Sequence, residues 1–194
     1  MDENLLQYAQ QEFNLPHDVV KLPSEGKFYK SKKKSVKVGY LTAADENIIM
    51  GSNTDDMIMT LVRTKLYEPD LKPDEMLNGD IEALLIFLRN TAFGPEMEVT
   101  LTDPTTRKSF KSNVLLDQLT ILQGQAPNED GTFITTLPKS QTTVKLKPMT
   151  YGEILENQRI ADSYPVGRVA PKVTLRLQKE IVEANGSTDK GEIA

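Results

Sequence analysis

Cysteine and histidine, two residue types that often act as nucleophile or base in catalysis, are almost absent from this sequence. The 194 residues contain no cysteine and one histidine, His17, which Asp18 follows directly. A histidine beside a carboxylate leaves a His–Asp–Ser triad open. No serine is clearly activated, however, and a lone histidine in a predicted loop is typical of a surface residue. We therefore expect no catalytic residue and no enzyme activity.

The sequence supports a metal or cofactor site even less than it supports a catalytic residue. One histidine and scattered carboxylates lack the spacing of metal ligands. Gly51 and Gly124 lie in isolated turns, whereas a phosphate loop needs several glycines between a strand and a helix. The acidic pairs Asp45-Glu46 and Asp55-Asp56 lie at predicted helix starts, where capping and the helix dipole account for them. We expect neither a metal nor a cofactor.

Composition narrows the class of protein further. The absence of cysteine suits a reducing compartment, and the acidic start of the chain lacks the apolar run of a secretory signal. The longest apolar stretch, 83–88, is too short to cross a bilayer. A net charge of -5 argues against a general nucleic-acid binder. These features predict a soluble cytosolic protein with no membrane contact.

The sequence has one cationic run, from Lys30 to Lys34. It reads either as a solvated loop tip between two strands or as a contact for an anion or a partner protein through Lys32, Lys33 and Lys34. The nearby aromatic pair Phe28-Tyr29 is expected to pack in the first strand, so base stacking is not supported. A small nucleic-acid or anion-binding regulator is the corresponding alternative function.

One pattern occurs twice, in residues 22–50 (the first repeat) and residues 137–161 (the second repeat). Each copy has a Leu-Pro pair, an alternation of apolar residues with lysine, then a threonine followed three residues later by a carboxylate. Thr42 and Thr150 with their carboxylates have the spacing of a capping box, so each copy predicts a strand, a tight turn and a capped helix. The alignment pairs Val36 with Val144, Val38 with Leu146, Leu41 with Met149 and Asp45 with Glu153. A duplicated unit without reactive residues favours a scaffold or binding role.

The N-terminal residues have the spacing of an amphipathic helix. Leu5, Leu6, Ala9 and Phe13 recur at helical intervals before Pro16. Such a helix either docks on the domain or protrudes toward a partner, and both readings stay open. Leu5, Leu6 and Phe13 are accordingly candidate interface residues, together with the three lysines.

The middle of the chain predicts helices around a hairpin. Residues 55–66 have one apolar stripe, and residues 81–93 are apolar nearly all round, which indicates a central helix. Asn78-Gly79-Asp80 is expected to cap that helix, and Gly94-Pro95 to end it. Residues 96–111 alternate like a hairpin around an Asp-Pro turn, with the apolar residues of 114–122 packed below it.

These elements predict an α+β fold: two related strand-turn-helix units flank a central helical core, with a β-hairpin insertion and terminal helices. A last helix is expected to begin after Pro171, to carry Val173, Leu177 and Ile181, and to close at Asn185-Gly186. The predicted organisation is an N-terminal helix and joint (1–20), one domain with the internal repeat (21–165), and a C-terminal helix and tail (166–194).

Several segments together resemble a known family. They are Leu22 to Tyr29, Leu41-Thr42 with Asp45-Glu46, Leu84 to Arg89, Phe93-Gly94, and Leu137-Pro138 with Val144 to Thr150. In this order they resemble the baseplate hub assembly proteins of T4-like contractile-tailed phages. The resemblance implies a non-enzymatic tail protein that helps to build the central hub of the baseplate through protein-protein contacts. Its partners would be other hub or tail proteins, including the tape-measure protein.

The resemblance leaves two roles open, a component of the baseplate or an assembly chaperone absent from the mature virion. It implies a location in the host cytoplasm during assembly and, for a component, in the tail. Two features depart from the family. Residues 102–107 stand where many relatives carry the cysteines of a zinc ribbon, and relatives continue beyond a segment like 183–193.

Overall fold

The computed structural model describes residues 16–51, 54–122, 124–165 and 169–189. The helix predicted around Leu5, Leu6 and Phe13 lies outside these residues. Within them, five α-helices and three small antiparallel sheets follow one another in blocks, and no two strands pair in parallel. This arrangement confirms the predicted α+β class.

The helices and strands are numbered in chain order. The helices are α1 (Ala43–Gly51), α2 (Thr54–Lys65), α3 (Asn78–Phe93), α4 (Tyr151–Asp162) and α5 (Lys172–Glu180), with 3-10 helices at Pro73–Glu75 and Leu116–Gln118. The strands are β1 (His17–Lys21), β2 (Ser35–Gly39), β3 (Glu96–Thr102), β4 (Ser109–Leu115), β5 (Phe133–Thr136), β6 (Thr143–Leu146) and β7 (Ile181–Ala184). The sheets are β1-β2, β3-β4 and β5-β6-β7.

Both repeats adopt the predicted strand, turn and capped helix. The first repeat supplies β2 and α1, and the second repeat supplies β6 and α4. In each case another strand, β1 or β5, pairs antiparallel with the repeat strand. Leu22-Pro23 directly follows β1, and Leu137-Pro138 directly follows β5. Each Leu-Pro pair therefore marks the point where the chain leaves the preceding strand of a hairpin.

One apolar core joins the two repeats to α3. As predicted, α3 is central: Ile81, Leu84 and Leu88 are each at most 2% exposed. Tyr151 and Leu155 of the second repeat belong to the same core cluster. The rest of that cluster comes from the first half of the chain: Leu22, Tyr29, Val36, Val38, Leu61, Val62, Leu66, Leu71 and Met76. The second repeat thus packs on a core that the first half supplies.

Two predictions near the first hairpin are wrong. Phe28-Tyr29 lies in a series of turns between Lys21 and Ser35, whereas the prediction placed this pair in a strand. The strand cannot continue that far because Glu25 and Gly26 have positive φ angles of 52° and 69°. His17 was expected in a loop, but it lies in β1 opposite Gly39.

The last helix is shorter than predicted. It ends at Glu180, and Ile181, which was assigned to the helix, begins strand β7. The open edge of β6 accounts for this, because Leu146 pairs with Ile181 and Lys145 with Glu183. The prediction that residues 114–122 pack below the hairpin is also wrong, since Leu119, Ile121 and Leu122 are 53%, 50% and 91% exposed.

Candidate interaction surfaces

Both repeats place a carboxylate on the threonine before the helix, but only the second repeat forms the predicted reciprocal capping box, since the Asp45 N–H donates to the Thr42 backbone oxygen at 2.9 Å and not to its hydroxyl. In the first repeat, the Thr42 backbone N–H and hydroxyl donate to Asp45 Oδ2 at 2.6 and 2.8 Å. In the second repeat, the Thr150 N–H donates to Glu153 Oε2 at 3.0 Å, and the Glu153 N–H donates to Thr150 Oγ1 at 3.2 Å. The carboxylates at these two positions are therefore structural caps.

Each capping carboxylate also pairs with a lysine, but in a different environment. Lys65 Nζ lies 2.5 Å from Asp45 Oδ2 with both side chains buried, and Lys147 Nζ lies 2.7 Å from Glu153 Oε1 with both partly exposed. Burial raises the pKa of Asp45, yet Lys65 and Thr42 outweigh burial and the net pKa is lowered. The net pKa of Glu153 is lowered in the same way by Lys147 and Thr150.

The most buried of the described carboxylates, Asp80, holds the loop after β1 against α3. It accepts hydrogen bonds from the Ser24 N–H at 2.9 Å, the Ser24 hydroxyl at 2.5 Å and the Tyr29 hydroxyl. Burial, and then the bond to Asp80, raises the pKa of Tyr29. The Leu77 N–H in turn donates to the Tyr29 oxygen at 2.9 Å. Asp80 is 1% exposed, so this cluster is a structural lock that no substrate reaches.

The predicted capping role of Asp80 is wrong. The N-cap of α3 is Leu77, which makes no side-chain capping bond. Asp80 lies three residues further on, and its carboxylate is turned to the donors of Ser24 and Tyr29. A carboxylate near the start of an apolar helix has the same local sequence whether it caps the helix or accepts hydrogen bonds from distant residues. Only the distant donors, here Ser24 and Tyr29, show which role Asp80 has.

His17 and Asp18, the pair with potential for acid-base chemistry, both contact aromatic residues. The His17 ring lies edge-on to Tyr67 with 6.0 Å between centroids. The Asp18 carboxylate accepts a hydrogen bond from the Tyr40 hydroxyl at 2.7 Å. Among the described residues, no group of three or more histidine, cysteine and acidic side chains is arranged to hold a metal ion.

The lysine run lies in the loop between β1 and β2, as predicted, but its members differ. Lys33 Nζ pairs with Glu68 and lies 2.6 Å from Asp70 Oδ1, and these two bonds, led by that of Asp70, raise the pKa of Lys33. Lys32 donates to the backbone oxygen of Lys27 at 3.0 Å. Lys33 is therefore neutralised by an internal contact, and the exposed positive charge of the run comes from its other lysines.

A shallow depression of about 390 Å³ lies beside this loop. Lys27, Lys32 and Lys34 line it, but so do Glu25 and Glu129. A larger groove of about 640 Å³ between α2 and α4 is also mixed in charge, with Arg63 and Arg159 facing several carboxylates. Neither cavity concentrates one sign of charge, so neither favours a small anion or cation.

The β3-β4 hairpin has two chemically distinct faces. We call one the apolar hairpin face; it consists of Met97, Val99, Leu101, Phe110, Ser112 and Val114, which pair across the two strands. The opposite face carries the charged residues, where Lys111 pairs with Glu98 at 2.8 Å and Asn113 donates to Glu96 at 2.6 Å. Asp103 closes the turn by accepting from the Thr105 N–H at 2.8 Å.

A second exposed apolar surface lies on the last helix. Val173 and Leu177, one turn apart on α5, are 71% and 44% exposed. On α4 and just after it, Ile160 and Tyr164 are also partly exposed, at 36% and 38%. We call Val173 and Leu177 the α5 stripe. The side of α5 toward α4 is tied down separately, because Asn157 donates to the Leu175 backbone oxygen at 3.3 Å.

Of the candidate interface residues from the sequence, the structure describes only the three lysines. Lys32, Lys33 and Lys34 share one loop, while Leu5, Leu6 and Phe13 lie outside the described residues. The sequence did not identify the apolar hairpin face as exposed: the alternation placed apolar residues on one face of both strands, but residues 114–122 were predicted to pack below the hairpin, and Leu119, Ile121 and Leu122 are instead exposed.

Comparison with known proteins gave no match to a family model, a curated protein or a solved structure. In the part of the chain that the structure describes, no helix is long and apolar enough to cross a membrane. The fold and the two surfaces define an α+β protein with exposed apolar faces, and the phage-tail resemblance stays a prediction.

Proposed function

We propose that this protein is a non-enzymatic assembly protein of the baseplate hub in a contractile-tailed phage, and that it acts through protein-protein contacts. The observation that supports this proposal is the α5 stripe. Two aliphatic side chains at i and i+4, largely exposed on an amphipathic helix, suit docking into an apolar groove of another protein. A hub or tape-measure protein is the expected partner.

The use of the polar groups within the fold also supports a binding role. The capping carboxylates and Asp80 are all occupied by internal hydrogen bonds, so they serve the fold. Within the part of the chain that the structure describes, the exposed apolar side chains have no comparable use in the fold. Surface of this kind stabilises a complex when a partner removes it from water, at about 25 cal/mol per Å² of apolar area.

Co-expression with individual hub, tail and tape-measure proteins of the same phage tests this proposal. We expect one of them to co-purify with the wild-type chain and to be lost with Val173→Asp. Thr174→Asp is the matched control, since it adds the same charge to the first turn of the same helix at an exposed neighbouring position. Failure of every tail protein to co-purify, or equal binding by the two variants, would contradict the proposal.

The choice between component and chaperone needs a separate measurement. Mass spectrometry of purified virions distinguishes the two, because a component is retained in the particle and a chaperone is absent. Complementation of a phage that lacks the gene, by wild type and by the two α5 variants, then links the contact to tail assembly.

A further inference from the structure

The apolar hairpin face is uncharged, with Val99, Ser112 and Val114 partly exposed and its other three residues exposed. Met97, Leu101 and Phe110 are 40%, 45% and 50% exposed, and none of the six residues of the face carries a charge. The two hairpin strands pair with each other. Arg89 holds the base of the hairpin by donating to the backbone oxygens of Gly94 and Glu96 at 2.6 and 3.0 Å. The hairpin therefore presents a defined apolar surface to solvent.

We infer that this face pairs with the same face of a second copy of the chain. In an antiparallel face-to-face arrangement, a twofold axis between the two sheets runs across the strands. The tip of each hairpin then lies over the base of the other, and the two protein bodies are at opposite ends. This relationship is isologous, as in most homodimers.

The side chains are complementary under that twofold axis. Phe110 near the tip of one copy faces the smaller Val114 near the base of the other, and Leu101 faces Met97. At the centre, Val99 and Ser112 each face themselves, and both are small. The two Phe110–Val114 pairs place a large residue opposite a small one, so the two layers interdigitate at both ends of the face.

Charge and size both suit a second copy. The charged residues Glu98 and Lys111 lie on the outer face, so pairing buries no charge. Seven residues at ~3.4 Å each give a face ~24 Å long, and an identical face covers it completely. Because a standard interface buries ~800 Å² per partner and this face is smaller, we expect a reversible dimer that forms with increasing concentration. Each copy has a net charge of -5, so added salt should strengthen the dimer.

Sedimentation of the purified chain from micromolar to millimolar concentration tests the inference. We expect the mass to rise toward that of a dimer, with higher salt shifting the rise to lower concentration. Leu101→Glu should stay at the monomer mass. Thr100→Glu, its neighbour on the same strand but on the opposite face, should associate like wild type. A wild type that remains monomeric, or equal behaviour of the two variants, would overturn the inference.

Cross-linking gives a second readout that does not depend on Leu101. Because the chain has no cysteine, Ser112→Cys introduces one thiol on the apolar hairpin face and Asn113→Cys introduces one on the opposite face. Two packed sheets lie about 10 Å apart, so two thiols that point into the interface are closer than this and a short bis-maleimide can bridge them. We expect Ser112→Cys to cross-link much faster; equal rates would contradict the pairing. These measurements need no tail protein, so they succeed or fail separately from the proposed function.

Discussion

Asp45 and Glu153 hold the same position in the two repeats, but their lysine partners come from different parts of the fold. Lys65, which pairs with Asp45, ends helix α2, whereas Lys147, which pairs with Glu153, follows strand β6 within the same repeat. The first pair is buried between two helices, and the second is partly open to water. The two repeats thus place a carboxylate three residues after the same threonine, but the surroundings of that carboxylate differ.

Lys65→Met should be strongly destabilising. It leaves Asp45 buried without its cation, and breaking a buried pair by removing one partner costs about 3–5 kcal/mol. Lys147→Met, at the more exposed pair, should cost less than about 1 kcal/mol. Urea unfolding of the two variants measures the difference. Similar losses in both would show that burial does not distinguish the two pairs.

Stability should fall in acid partly because of Asp45. Its pKa is lowered in the folded state, so the unfolded chain binds the proton more readily. The contribution is present above the ordinary pKa of about 3.9 and is lost as pH falls through the lower folded value. In urea unfolding at a series of pH values, wild type should lose stability below about pH 4 more steeply than Asp45→Asn. Parallel curves would exclude this contribution.

Tyr29→Phe should weaken the lock between the first hairpin and α3. The change removes one donor to Asp80 and leaves the Leu77 N–H without its acceptor, and a buried unsatisfied group costs about 1–3 kcal/mol. Tyr40→Phe is the control, because the bond of Tyr40 to Asp18 is exposed. The urea midpoint of Tyr40→Phe should stay close to that of wild type, whereas that of Tyr29→Phe should fall. An equal fall in both variants would argue against the buried lock.

Gly26→Ala should be poorly tolerated. A Cβ on Gly26 would lie 2.2 Å from the Lys33 backbone oxygen, and the φ of 69° already disfavours any other residue. Strained backbone of this kind costs about 1–3 kcal/mol before the clash is counted. Gly79→Ala, at a helical position with open space around it, should be neutral or stabilising by up to about 1 kcal/mol. Thermal unfolding of both variants measures the contrast.

Local patterns were predictable from the sequence because their partners are close in the chain. The spacing of Thr150 and Glu153 is itself the capping interaction, and the alternation in residues 96–111 with its Asp-Pro turn is itself the hairpin. By contrast, Ser24 and Asp80 meet across 56 residues. Nothing near Asp80 distinguishes a cap from a buried acceptor, and nothing near Ile181 reveals the open edge of β6.

For the candidate surfaces too, the local pattern was predictable from the sequence and the contacts between distant residues were not. The lysine run was visible as composition, but the contact of Lys33 with Glu68 and Asp70 depends on how the loop folds onto a segment 35 and 37 residues away. The apolar character of the hairpin strands was also visible. That these residues face solvent depends on where the other described elements pack, which the hairpin sequence does not reveal.

The distribution of the core along the chain bears on the order in which the protein is made. Twelve of the fourteen residues in the main core cluster precede residue 89, and only Tyr151 and Leu155 follow it. During synthesis, which proceeds at roughly 5–20 residues per second, the first repeat and α3 leave the ribosome several seconds before the second repeat. The early part already contains most of its own apolar partners. The second repeat then docks on a surface that the earlier residues have already formed. One contact of this docking is the hydrogen bond from the Tyr151 N–H to the Met76 backbone oxygen at 2.7 Å.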